Sequence, residues 1–152
     1  MFDKKDYFYM KEALKEAELA FKEDEVPVGA IIVSSEGKII GRGRNQIIKS
    51  NDPTAHAEIL AIKQACKNLR NYRLIGCKMY VTLEPCPMCA YALVLARIEE
   101  LIFATKDEKT GACGSIYNIV QDSKLNHQIK IKEGLLKEEA QKLLKKFFKS
   151  KR

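Results

Sequence analysis

KMYVTLEPCPMCAYALVLARIEELIFA, residues 78–104, holds two short apolar runs on either side of a proline-punctuated cysteine pair. Lys78 to Leu83 has the length and β-branched content of a strand, and Glu100 to Ala104 has the same character. Between them Pro87 suits the first position of a helix, which runs to Arg97. A strand, a helix and a second strand in so short a span form the unit that pairs parallel strands through a right-handed crossover. Upstream, Met10, Ala13, Leu14, Ala17 and Phe21 recur at helical spacing and predict a first helix from Asp6 to Glu25. Ala30 to Val33, a Ser-Ser-Glu-Gly turn and Lys38 to Ile40 predict a hairpin, and Gly41 to Thr54 is polar and turn-rich. A further helix starts between Asp52 and Ala55, with Asp52 or Thr54 as its cap and Ile59, Ile62, Cys66 and Leu69 as its buried stripe. Downstream, residues 105–128 form a long loop of the kind that carries function. Ile129 to Ile131 is a short fifth strand, and Leu136, Ala140, Leu143, Leu144 and Phe147 mark a final helix. Strands alternating with helices give an α/β fold in which helices cover a central sheet.

The 152 residues are expected to form one domain, 1–152, since a domain takes roughly 100 to 200 residues. At 46% hydrophobic and 31% charged, the chain is excluded from the disordered and fibrous classes. No apolar run approaches the roughly 20 residues of a membrane span, and Met1 to Tyr9 lacks the apolar core of a signal peptide, so a cytoplasmic protein is expected. The net charge of +7 is unevenly placed. Residues 1–25 carry five Lys against eight acids, whereas residues 137–152 carry six Lys and one Arg against two Glu. Such a basic pole attracts polyanions, although a charge run can also be no more than a solvated helix face.

Five cysteines at irregular spacing do not suggest a disulfide framework. His56-Ala57-Glu58 and Cys86-Pro87-Met88-Cys89 instead sit at two helix starts. His56, Cys86 and Cys89 supply the three ligands of a catalytic zinc site, and the thiols gain from the helix dipole that favours thiolate. Two thiolates weaken the metal as an acid, so a base is needed beside it, and Glu58 fits that role. His56 and Glu58 lie about 200° apart around a helix, so only the helix end can present both. The alternatives are a closed structural zinc site completed by Cys66, Cys77 or Cys113, and a redox-active cysteine pair. His127 is expected to pack or face solvent.

H-x-E followed by P-C-x-x-C resembles the zinc-dependent cytidine and adenosine deaminase superfamily. Glu25-Val26-Pro27-Val28-Gly29-Ala30, Asn45, Asp52 to Ile59, Asn71 to Leu74, Val81 to Cys86, Asp107, Lys109 to Ala112 and Gly114-Ser115 extend the likeness to the bacterial tRNA-specific adenosine deaminases. Asn126-His127, Glu133-Gly134 and Phe147-Phe148 continue it to the C-terminal region. The resemblance implies a cytidine deaminase-like, three-layer α/β/α sandwich with a mixed sheet of about five strands. It also implies one zinc ion per subunit, a homodimer, and hydrolytic deamination of adenosine to inosine at the wobble position of a tRNA anticodon stem-loop. Glu58 is then the catalytic residue, passing the proton of the attacking water to a ring nitrogen and assisting departure of ammonia. Asn45 is implied to bond the purine and Asp107 a ribose hydroxyl, while Phe148 and Arg152 are candidates for stacking and phosphate contact. Cys113 departs from the pattern, which has a small residue there, and so do Tyr91, Leu95 and Ala96 on the cysteine-bearing helix.

Two other readings remain open from sequence. A free nucleobase or nucleotide deaminase of the guanine or cytosine type shares the Pro85 to Cys89 sequence but has no need of a basic C-terminal helix. A zinc-stabilised RNA-binding module without catalysis would have no need of Glu58.

Overall fold

The computed structural model describes residues 1–151, and its elements in chain order are α1 (Lys4–Lys22), β1 (Gly29–Val33), β2 (Ile39–Arg44), α2 (Ile47–Ser50), α3 (Ala57–Leu69), β3 (Lys78–Leu83), α4 (Pro87–Ala96), β4 (Glu100–Thr105), β5 (Lys130–Glu133) and α5 (Lys137–Ser150). The strands form one sheet in the order β2-β1-β3-β4-β5. β1 pairs antiparallel with both β2 and β3, and β3-β4 and β4-β5 are parallel. Alternating residues feed two cores. Ile32, Val81, Leu101 and Phe103 pack with Ala57, Ala61, Ala90 and Leu93 of α3 and α4. Ile31, Tyr80, Ile102 and Ala104 pack with Met10, Ala13 and Ala140 of α1 and α5. The mixed five-stranded sheet between two helix layers agrees with the sequence expectation.

The first difference lies at α1, which starts earlier and ends earlier than its apolar spacing predicts. The Asp6 N–H donates to Asp3 Oδ1 (2.9 Å) and the Asp3 N–H donates to Asp6 Oδ2 (3.1 Å), a reciprocal cap that fixes the helix start. Asp6 Oδ1 also accepts from the buried hydroxyl of Tyr80 (2.5 Å), so the cap is tied to β3.

A larger difference concerns β2, which continues through Gly41-Arg42-Gly43-Arg44 where a turn-rich segment is expected. The glycines are there because α3 lies directly on the strand. A Cβ on Gly41 would come within 2.3 Å of the Ala61 carbonyl, and one on Gly43 within 2.1 Å of the Ala57 carbonyl. The matching face of α3 is accordingly Ala57, Ala61 and Ala65, all fully buried. Ile59, Ile62 and Cys66 are displaced to its half-buried flank, and Leu69 is exposed. Small residues on both partners let strand and helix approach more closely than an isoleucine stripe allows. Arg42 and Arg44 alternate with the glycines and bond acids of α1, Arg42 to Glu12 at 2.7 Å and Arg44 to Glu23 at 2.7 Å. The four-residue α2 is absent from the sequence reading. It is held by the buried Glu25 carboxylate, which accepts from the Ile48 and Lys49 N–H groups (3.2 and 2.8 Å).

Candidate active site

His56 is the residue before α3 and adopts an extended backbone, so its own side chain leaves the first helical N–H groups uncapped. Asn45, just beyond β2 and buried, fills that need from outside the helix. Its Oδ1 accepts from the Ala57 N–H at 2.9 Å. The close α3-β2 contact and this bond together fix where the helix begins. This bond orients the Asn45 amide, fixing which end carries the oxygen, and leaves the amide NH2 as a donor.

Across from His56, Cys86 is the residue before α4, Pro87 opens that helix, and Cys89 lies one turn on. Nδ1 of His56 is 3.6 Å from Cys86 Sγ and 3.4 Å from Cys89 Sγ. The three donor atoms lie within 4.8 Å of one another and are, among the described residues, the only such group of three or more. Neither Cys66, Cys77 nor Cys113 joins them, so a fourth protein ligand is not supplied. One imidazole and two thiols suit a cation with affinity for nitrogen and sulfur.

The local electrostatics fit the same use. The hydrogen bond from the Cys89 thiol, with the His56 ring beside it, brings the Cys86 thiol down to about 4. Sharing its proton with Cys86, and burial, hold the Cys89 thiol far above its usual range. The adjacent Cys86 raises His56. One thiolate, one thiol and an imidazole thus share protons that a cation would displace. Glu58, on the first turn of α3, is buried, and burial pushes its carboxyl up to about 7. It is a carboxyl able to exchange a proton near neutral pH, at the same helix start as the donor set.

β4 runs parallel to β3 and opens into residues 106–129, which contain no helix or strand and one isolated bridge, Cys113 with Asn118. This loop is seated on Glu84, the buried residue after β3. Asp107 sits at the start of the loop, half-buried, and its carboxylate accepts from the Lys109 N–H (3.0 Å), the Thr110 N–H (3.2 Å) and the Thr110 hydroxyl (2.8 Å). Beyond it a cleft of about 850 Å³ runs between the loop and α5, lined by Lys106, Asp107, Lys109, Lys137, Gln141 and Phe148 among others. None of His56, Glu58, Cys86 or Cys89 lines it, and its tie to them along the chain is Leu83, three residues before Cys86, which does.

The model of the MafB19-like deaminase family matches residues 2–152. The tRNA-specific adenosine deaminase of Aquifex aeolicus is 54% identical over 145 residues, covering 95% of this chain and 94% of the relative. The chain belongs to the tRNA-specific adenosine deaminase family. A solved structure from a study of A-to-I editing by tRNA:A34 deaminases at the wobble position of transfer RNA superimposes with a TM-score of 0.87 at 42% identity, covering 90% of this chain and 99% of that one. The guanine deaminase of Bacillus subtilis reaches 42% identity, over 65% of this chain and 63% of its own, with a TM-score of 0.62.

Of the residues singled out in this deaminase from sequence, His56, Cys86, Cys89 and Glu58 converge on two adjoining helix starts, and Asn45 joins them through the Ala57 N–H. Asp107 and Phe148 line the neighbouring cleft, and Arg152 lies outside the described residues. His127 packs, with Nε2 2.6 Å from the Ile98 carbonyl oxygen. Cys77 and Cys113 are buried and Cys66 half-buried. Sequence reasoning assigned no role to Glu84. Its one signal is a carboxylate placed between an apolar strand and the Pro-Cys junction.

Proposed function

We propose that this protein hydrolyses adenosine to inosine at the wobble position of a tRNA anticodon stem-loop, releasing ammonia. The observation that carries the reading is the extent of the likeness to tRNA-specific relatives, which runs almost from end to end and includes the basic α5. The likeness to the Bacillus subtilis guanine deaminase, which would favour a free base, covers about two thirds of the chain at 42% identity, and that to the guanine deaminase of Nitrosomonas europaea, over 93% of the chain, falls to 24% identity.

In this reading His56, Cys86 and Cys89 hold one zinc ion per subunit, and the donor set of one imidazole and two thiols fits it. Zinc bound there supplies an electrophilic centre that acidifies water and steadies developing negative charge. The remaining work falls to the chain's own residues. Glu58, raised towards neutrality by burial, takes a proton from water on its carboxylate, returns it to the purine ring nitrogen and then assists departure of the amino group. Asn45 orients the base through its amide NH2, since its oxygen is turned to the Ala57 N–H. The target base must leave the stack to reach these groups, at a cost of a few kcal/mol. Flanking contacts offset that cost. Asp107 accepts from a ribose hydroxyl with the remaining lone pair of Oδ2, Phe148, which is 49% exposed, stacks on a neighbouring base, and the lysines of the cleft meet phosphates. Arg152 belongs to the same set by its place in the sequence.

The protein acts as a homodimer in the cytoplasm, where its substrate is found. Tyr72, Ile75, Tyr91 and Leu95 are exposed apolar side chains that a second copy would cover. No helix among the described residues is long and apolar enough to cross a membrane.

The test is inosine formation in a synthetic anticodon stem-loop with adenosine at the wobble position, using zinc-loaded protein. Conversion of the stem-loop with little turnover of free adenosine, guanine or cytidine is expected. Comparable turnover of a free base would move the assignment to a free-base deaminase.

A further inference from the structure

Glu84 is 2% exposed, and no lysine or arginine forms an ion pair with it among the described residues. Its carboxylate is satisfied by a single loop. Oε1 accepts from the Asp107 N–H (3.0 Å) and the Ser115 hydroxyl (2.5 Å), and Oε2 accepts from the Cys113 N–H (2.9 Å) and the Ser115 N–H (3.1 Å). A carboxylate has about four acceptor positions, and all are taken. The backbone repeats the connection, since the Glu84 N–H donates to the Thr105 carbonyl and the Ala112 N–H to the Pro85 carbonyl, both at 2.9 Å. Gly111 completes the seat: a Cβ there would lie 2.4 Å from Glu84 Cδ. Two residues after Glu84 comes Cys86, and the first residue that Glu84 grips is Asp107.

We propose that Glu84 is a positioning residue which fixes the Asp107–Ser115 loop at a set distance from the Cys86–Cys89 turn, so that RNA is presented in register with the donor set. The inference rests on the reading of Asp107 as a substrate contact. A buried carboxylate gripped only by N–H and O–H donors is a rigid clamp, because every bond is charge-assisted and all four weaken together if the charge is removed. The four bonds connect the end of β3, which carries the chemistry, to the loop after β4, which carries recognition. Neither strand needs them for its own pairing.

Glu84→Gln is the direct probe. It preserves volume but offers one acceptor oxygen and turns an NH2 towards N–H donors, breaking at least two of the four bonds. Ser115→Ala removes one bond and leaves the charge. Three readouts on zinc-loaded protein are required: zinc content, amide hydrogen exchange, and kcat and KM on the anticodon stem-loop. For Glu84→Gln we expect wild-type zinc content, exchange of the 107–115 amides faster by about tenfold or more with the β3 and α4 amides unchanged, and KM raised about tenfold with kcat altered far less. Ser115→Ala should shift the same quantities less, and the double variant should match Glu84→Gln alone, because one clamp cannot be broken twice. Loss of zinc, faster exchange spread evenly over the sheet, a fall in kcat at constant KM, or additive effects would each overturn the proposal. If Glu84→Gln does not fold, Ser115→Ala carries the same test. Failure of the wild type to form inosine would be a failure of the parent reading. The exchange pattern would then decide alone, selective loosening of the loop supporting the clamp and unchanged exchange refuting it.

Discussion

The antiparallel half of the sheet, β2-β1-β3 with α3 upon it, and the parallel half, β3-β4-β5 with α5 and the 106–129 loop, meet at the candidate site but are built on opposite terms. In the first, helix and strand touch backbone to backbone through Gly41, Gly43 and the alanines of α3, and the outer face is locked by Arg42 and Arg44 on the acids of α1. In the second, a long loop and an amphipathic helix leave an open cleft edged with lysines and an exposed phenylalanine. Groups that move protons need fixed positions, because reactivity falls steeply with small displacements. Groups that hold a polyanion need reach and charge, and tolerate looseness. The division predicts that changes in the antiparallel half act on turnover or folding, and changes in the parallel half on substrate affinity.

The strongest test removes the proposed proton carrier. Glu58→Ala should lower the rate of inosine formation by about 10² to 10⁴-fold while zinc content and RNA affinity stay near wild type. Unchanged turnover would take the proton-carrying role away from Glu58. Next is Gly43→Ala, which sets a methyl group against the Ala57 carbonyl and must push α3 off β2. We expect destabilisation of about 1 to 3 kcal/mol by chemical denaturation, together with loss of turnover in the fraction that stays folded, since His56 and Glu58 ride on that helix start. A stable, fully active Gly43→Ala would mean that the contact has slack and the division is drawn wrongly.

That contact also marks the limit of what the sequence discloses. The strand-helix-strand unit of residues 78–104 is legible because Pro87 and two apolar runs punctuate it, and its observed boundaries agree to within a residue. His56, Cys86 and Cys89 are legible because a nitrogen-and-sulfur metal site would use those residue types at those spacings, and Glu58 because such a site would need a base beside it. Strand β2 is not, because Gly41 and Gly43 look like a turn unless the helix lying on them is known. The buried face of α3 is misplaced for the same reason: apolarity favours Ile59 and Ile62, whereas close approach selects Ala57 and Ala61. Glu84 is hidden because three of its four partners are backbone N–H groups, and all lie some 23 to 31 residues away, which no residue pattern encodes.

In the open half, Phe148→Ala should weaken stem-loop binding by about 1 to 3 kcal/mol, the usual worth of a base stacked on an aromatic ring, with kcat and thermal stability little changed. Phe148 is half-exposed, whereas its neighbour Phe147 is buried against Phe21, so the adjacent Phe147→Ala should destabilise the fold instead. Titrating salt separates stacking from charge. The logarithm of the wild-type binding constant should fall with the logarithm of salt concentration by roughly 0.7 per phosphate neutralised, and Phe148→Ala should keep that slope while lysine-to-glutamine changes on α5 reduce it. Equal slopes for all of them would remove the α5 lysines from the phosphate contacts.

The smallest effect expected is in the ionic lock of the antiparallel half. Arg44, and after it Lys49, hold the Glu23 carboxyl at about 2, against an ordinary 4.5. A carboxyl depressed on folding stabilises the native state above its unfolded value, and that contribution fades as pH falls from about 4.5 towards 2. Glu23 is well exposed to solvent, so screening keeps the effect small. Melting temperatures measured from about pH 6 to about pH 3 should therefore drop slightly less steeply for Glu23→Gln than for wild type, with the two curves converging at the acid end. Stem-loop affinity at neutral pH should be the same for both, because none of Glu23, Arg44 and Lys49 lines the cleft. If Glu23→Gln weakened RNA binding at neutral pH while leaving the acid melts unchanged, the lock would belong to the recognition surface, and the boundary between the two halves would have to be moved across β2.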